Sequence, residues 1–259
     1  MSTPASIPAA NPAQTREPPD IAMGHTVRGY DRDLNRLRGL ILEMGERVVE
    51  QTQTAVTALL QGDLGPAYRV LDREPQIDYL ALDADDEAYK LIARRQPKAV
   101  DLRIVLALAR IANEAERAGD KAARIANRTI GLREGGTELS PALCECLRRL
   151  DELVCCAFER AMEAVGSFDT QLALTVFEDE AALDEANADL IRHLTSGQES
   201  GLDLPRLESL FALGHALNRI GNHAATIAEQ VIYVAEGQDV RFRNREILIE
   251  TLRHGAEAG

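Results

Sequence analysis

Tryptophan is absent from this chain of 259 residues, and aromatic residues make up only 4% of it. The apolar content is mostly Ala, Leu, Ile and Val, a composition that favours helices packed closely on helices. No apolar run approaches the ~20 residues a membrane span requires, so membrane insertion is excluded. The N-terminus has no basic segment followed by an apolar one, so no signal peptide is expected and the location expected is cytoplasmic. Cysteine is scarce too. Cys144, Cys146, Cys155 and Cys156 fall in one predicted helix, at spacings that suit neither a disulfide framework nor a zinc finger. They read as small packed thiols in a reducing compartment. The sequence offers no G-x-S-x-G elbow, no Cys-His pairing, no glycine-rich phosphate cradle after a strand and no Glu-x-x-His pair of the di-iron kind. The expectation is that the protein is not an enzyme. His25, His193 and His254 are isolated. Positive charge is also short, 29 Lys and Arg against 42 Asp and Glu, for a formal net charge of −13. Such a surface repels phosphate backbones and anionic lipid, which argues against nucleic acid as a partner and favours cations and basic protein surfaces.

What the chain does have is helical periodicity. Residues 1–24 carry Pro4, Pro8, Pro12, Pro18 and Pro19 among small polar residues and read as a disordered tail. From Tyr30 the apolar residues Leu34, Leu37, Ile41, Met44, Val48, Ala55 and Leu59 keep three-four spacing to about Gln61. A second helix runs to about Arg95, interrupted or kinked at Pro75, which is expected to bias Glu74 away from helical geometry. A third spans about Val100 to Ile130. Gly135-Gly136 is the best domain boundary. Ser140-Pro141 then caps and starts a fourth helix to about Val165; a fifth covers about Thr170 to Leu194, and a sixth about Leu204 to Ala235, stopping at Gly237. The last residues, polar, are expected to fray. The fold class predicted is all-α: two tandem, pseudo-repeated, up-down three-helix bundles, 25–134 and 137–241, between an N-terminal tail (1–24) and a C-terminal tail (242–259).

The two halves repeat each other. The third helix reads Glu116-Arg117-Ala118-Gly119-Asp120-Lys121-Ala122-Ala123-Arg124-Ile125-Ala126-Asn127, and the sixth Asn218-Arg219-Ile220-Gly221-Asn222-His223-Ala224-Ala225-Thr226-Ile227-Ala228-Glu229. A glycine inside a helix costs about 1 kcal/mol relative to alanine, so two at matched places point to close approach of a neighbouring helix. Glu74 and Asp78 on the second helix parallel Glu180 and Asp184 on the fifth, each a carboxylate pair one turn apart. If the helices are neighbours, Glu74, Asp78, Glu116 and Asp120 converge. All-oxygen ligation of that kind suits Mg, Ca, Mn or Fe, whereas the alternative is a solvated acidic face partly balanced by Arg117 or Arg124. Asp85 lies on a similar face as a weaker candidate. In the second half Asn218 and Asn222 replace two of the acids, so Glu180 and Asp184 form the weaker site. His215 and His223 read as surface or structural residues. Asp101 and Arg103 read as an acid favouring a helix start and a surface pair, with a partner-contact corner as the other reading.

The paired E-x-x-x-D helices, the stretch Arg95-Gln96-Pro97-Lys98-Ala99-Val100-Asp101-Leu102-Arg103, the Glu-Arg-x-Gly-Asp helix, and Tyr233 with Gly237-Gln238-Asp239-Val240-Arg241 together resemble the PhoU family over about Tyr30 to Arg241. The resemblance implies a negative regulator of phosphate uptake and phosphate-starvation signalling, acting between a phosphate ABC transporter ATPase and a sensor histidine kinase. It also implies that the E-x-x-x-D carboxylates bind a divalent metal in some members. The alternatives are a metal-binding bundle, a store or an oxidase, and an accessory protein of another transporter. Partner-contact residues and oligomeric state stay open, a homodimer being one arrangement compatible with this reading.

Overall fold

Caps and left-handed turns divide the chain. The computed structural model describes residues 28–197, 199, 202–241 and 243–257; the expected tail 1–24 lies outside them. Helix α1 (Arg28–Gln61) ends at Gly62, whose φ of 75° suits a residue without a side chain. Asp63 then caps α2 (Leu64–Arg73) by accepting the Gly65 amide at 3.0 Å. Pro75 takes the first position of α3 (Pro75–Arg95), where its missing N–H costs nothing. Helix α4 (Val100–Glu134) runs to Gly135-Gly136. Ser140 caps α5 (Pro141–Ser167), with its hydroxyl oxygen 3.1 Å from the Leu143 amide. Asp169 caps α6 (Thr170–Glu178), α7 follows (Glu180–Thr195), and Asp203 caps α8 (Leu204–Glu236), which stops at Gly237 with φ 70°. A further helix, α9 (Arg245–Glu257), follows. Among the described residues there is no strand.

Three expectations need correction. Glu74 keeps right-handed helical angles (φ −52°, ψ −44°), so Pro75 separates α2 from α3 without throwing Glu74 out of helical geometry. The helix expected to run unbroken from Thr170 to Leu194 is divided at Asp179 into α6 and α7. No proline stands there. The middle helix of each half is therefore broken at nearly matched places, once with a proline and once without, and the break belongs to the packing of the repeat. The C-terminal residues expected to fray form α9, whose Leu248 is buried and whose Leu252 packs against the core.

Helices α2 and α3 lie across α1 and α4, as α6 and α7 lie across α5 and α8. The halves join along two seams, α1 with α5 and α4 with α8, so the four long helices form a closed ring in the order α1, α4, α8, α5. One continuous apolar core runs through it, with Leu37, Ile41, Leu108 and Ile111 in the first half and Leu143, Leu147, Phe158 and Ile227 in the second. Gly119 and Gly221 serve the close approach expected of them. A Cβ on Gly119 would lie 2.9 Å from Ile77 Cδ1, and one on Gly221 would lie 3.3 Å from Leu183 Cδ1. Ile77 and Leu183 stand three residues after Glu74 and Glu180, so the same side chain of each repeat fills the same notch.

Candidate functional site

The first acidic group is assembled from three helices. Glu74 ends α2, Asp78 lies in the first turn of α3, and Glu116 and Asp120 stand one turn apart on α4. Burial, then the charges of Asp78, Asp120 and Glu116, push the Glu74 carboxyl above its ordinary range. Burial, then Asp120 and Asp78, do the same to Glu116, with Arg117 and Lys121 only partly offsetting them. The fold thus brings together the four carboxylates singled out in sequence. Asp85 joins them at the edge: it lines a cavity of about 280 Å³ between α3 and α4 with Asp78, Asn113 and Glu116. The oxygen donors fit a hard cation, which would relieve their repulsion. As the side chains stand, no three His, Cys, Asp or Glu among the described residues form a ready metal-holding group, so binding would require them to draw in.

The second half has the same scaffold and different contents. A cavity of about 240 Å³ between α7 and α8 is lined by Asn187, Ile191, His215 and Asn218. Applying the repeat, Ile191 stands where the first half has Asp85, and Asn218 where it has Glu116. Asp184 is exposed on α7, one turn beyond Glu180. Glu180 is already engaged. Arg245, the first residue of α9, brings Nε to 3.4 Å from Glu180 Oε2 and Nη2 to 2.8 Å from Glu229 Oε1. Its guanidinium carbon lies 3.9 Å from the centre of the Phe177 ring, and Arg253 of α9 pairs with Glu178. Burial raises the Glu180 carboxyl, and Arg245 pulls it back. Arg245 was missed in sequence because the last residues read as a tail, and Glu229, in the sixth helix, was missed because its partner lay in that tail. A weak signal existed: Asn244, which caps the Ile247 amide at 3.1 Å, precedes Leu248, Ile249 and Leu252 at helical spacing.

Other singled-out residues tie the halves together. His223, 4% exposed, sets Nδ1 2.6 Å from Glu114 Oε2 across the α4–α8 seam, while its buried Nε2 has no hydrogen-bond partner among the described residues. That hydrogen bond holds the Glu114 carboxyl below its usual range. His215 is exposed. Arg103 is not a surface pair: its guanidinium donates to the Tyr233 and Val234 carbonyls, both at 3.3 Å, at the end of α8, where cations are favoured. Asp101 lies in the first turn of α4. Of the four cysteines, all free thiols, Cys155 is buried and the other three are half-buried.

Comparison with known proteins decides the family. The PhoU domain model matches residues 41–129 and again 147–231, one match in each half. This chain belongs to the PhoU family. It is 35% identical over 218 residues to a Pseudomonas putida protein named phosphate-specific transport system accessory protein PhoU homolog, covering 84% of each chain. A homologue of the same name from Pseudomonas aeruginosa is 34% identical, over 84% of this chain and 89% of that one. The crystal structure of PhoU from Pseudomonas aeruginosa superposes with a TM-score of 0.75 at 33% identity, over 81% of this chain and 100% of that one. The phosphate transport system regulatory protein PhoU from Streptococcus pneumoniae shares the fold, with a TM-score of 0.74 at 22% identity. The tandem PhoU bundles read from the repeat are thus the family's own architecture.

Proposed function

We propose that this chain is a PhoU-type accessory protein of a phosphate transport system, an adaptor that conveys the state of the transporter ATPase to a sensor histidine kinase and represses starvation signalling when phosphate is ample. The observation that carries this reading is the double PhoU match together with relatives, named for phosphate-specific transport, that it covers over most of their length. The protein works by binding in the cytoplasm, without a catalytic step of its own. No described helix is long and apolar enough to cross a membrane, which is compatible with that role. The acidic group of the first half is the place for a hard divalent cation, Mg, Mn or Fe, held by oxygens of Glu74, Asp78, Glu116 and Asp120; such an ion would lock α2, α3 and α4 together rather than perform chemistry.

Deleting the gene and following a phosphate-starvation reporter in phosphate-rich medium tests the regulatory reading. Expression should become constitutive and return to the repressed level when the gene is restored. A reporter that stays repressed in the deletion strain would sink it.

A further inference from the structure

The seam between α1 and α5 carries a groove of about 570 Å³ that the acidic sites do not use. Its floor is apolar: Leu42, Gly45 and Val49 from α1, and Met162 from α5. Gly45 lets the two helices close up, since a Cβ there would lie 2.6 Å from Met162 Cγ. The rim is acidic, with Glu46 and Glu50 on one side and Glu159 and Glu163 on the other, all exposed. Glu50 pairs with Arg73 at 2.8 Å, whereas Glu46, Glu159 and Glu163 have no cationic partner among the described residues.

An apolar trough of this size takes several side chains. A methionine in its floor adapts to their shape, and unpaired carboxylates along both edges select cations flanking them. We propose that this groove docks a basic amphipathic helix of a partner protein, its apolar ridge seated on Val49 and Met162 and its Lys or Arg residues on Glu46, Glu159 and Glu163. This is the helix-in-groove mode of recognition. A second copy of the chain fits less well. Its cationic cluster is Arg117, Lys121 and Arg124 on α4 with Arg219 on α8, where burial and then the charges of Arg124, Arg219 and Arg117 depress the Lys121 ammonium, but it lies at the α4–α8 seam, across the ring from the groove. Copies docked that way would stack head to tail without closing. The proposal rests on the adaptor reading only for the existence of a protein partner; its test uses purified protein and stands apart from the reporter experiment.

The probe is a labelled synthetic helix of about 18 residues with Leu on one face and Lys on the other, long enough to span the groove. Binding to the full chain is followed by fluorescence anisotropy, with a Leu/Glu peptide as the opposite-charge control. The double variant Glu46→Gln, Glu163→Gln should weaken binding by about tenfold. Glu138→Gln, Glu208→Gln removes the same charge from exposed sites in the loop before α5 and at the α4–α8 seam, and should change it less than about twofold. Met162, one of only four methionines, offers a methyl resonance that should shift when the Lys peptide binds. Equal losses in the two variants, binding without a Met162 shift, or no binding by wild type would each overturn the proposal. So would sedimentation as a dimer that the Glu46/Glu163 variant dissociates, which would make the occupant a second copy.

Discussion

Between α3 and α4, Asp78, Asp85 and Glu116 line a cavity; in the matching cavity between α7 and α8, Ile191 and Asn218 stand in place of Asp85 and Glu116, and Asp184 is not part of the lining. Glu74 in the first half is crowded by other acids, whereas Glu180 in the second is met by Arg245. Equal backbones have thus been given unequal electrostatics. The first group still carries its repulsion; the second has a guanidinium built in, supplied from beyond the repeat.

The sharpest break of this comparison is a metal titration. Metal-stripped protein titrated with Mn, Fe(II) or Mg by calorimetry should show one tight step that Asp120→Asn abolishes and Asp184→Asn leaves nearly intact, because carboxylate charge count sets affinity in oxygen-rich sites. Equal effects of the two substitutions, or no binding by wild type, would show the asymmetry to be wrong.

Lone buried acids differ between the halves as well. Glu87 and Asp151 are both 8% exposed, but Glu87 meets Arg36 at 2.9 Å while Asp151, among the described residues, is met by the Cys155 thiol alone, at 3.5 Å. Burial raises the Asp151 carboxyl to about 6 from 3.8. Folded protein therefore holds this proton more tightly than unfolded chain, and the stability it contributes is full below about pH 4 and lost as pH rises through about 6. Asp151→Asn should stabilise the protein at pH 7 by up to about 3 kcal/mol and by little at pH 4. Urea melts at the two pH values decide it; a destabilised variant at pH 7 would contradict the argument.

Arg245→Gln should cost about 1–2 kcal/mol at pH 7, the worth of charge-assisted hydrogen bonds reduced for partial exposure. Glu180, whose carboxyl already sits above its ordinary range, would rise further without Arg245, so the deficit should shrink as pH falls toward 4–5 and the acid is neutralised. A deficit independent of pH would mean that Arg245 matters only through its packing on Phe177. The smallest difference belongs to the notch. Gly119→Ala, facing Ile77 at 2.9 Å, should lose about 1 kcal/mol despite alanine's better helix propensity, while Gly221→Ala, at 3.3 Å from Leu183, should be nearly neutral. Equal melts for the two would show that the notches are equally forgiving.

Much of this was legible in the sequence, for local reasons. Ser140-Pro141 and Gly237 act within a turn of their own positions, and the repeat of Gly119 and Gly221 reports a contact that either half makes alone. The four acids of the first half could be grouped only on the condition that the second and third helices are neighbours, which short connections favour. The division at Asp179 could not be read, since no residue there is a strong breaker and the cause lies in how α6 and α7 seat on α5 and α8. The signal for α9 was weak: Ile247 is exposed, and the acids that meet its Arg245 stand 16 and 65 positions earlier. Long-range ion pairs leave no period in a sequence.

The ring of long helices has a thermodynamic consequence. Two copies of a motif would ordinarily melt as beads on a string, each with its own midpoint. Here a single apolar core crosses both seams, and Glu114–His223 and Arg103 stitch α4 to α8 along much of their length. Neither half can open without exposing the inner faces of the other. Heating should give one calorimetric transition of the whole chain, and a displacement imposed at one end of the ring reaches the other as the tilt of a rigid frame, with no hinge between to absorb it.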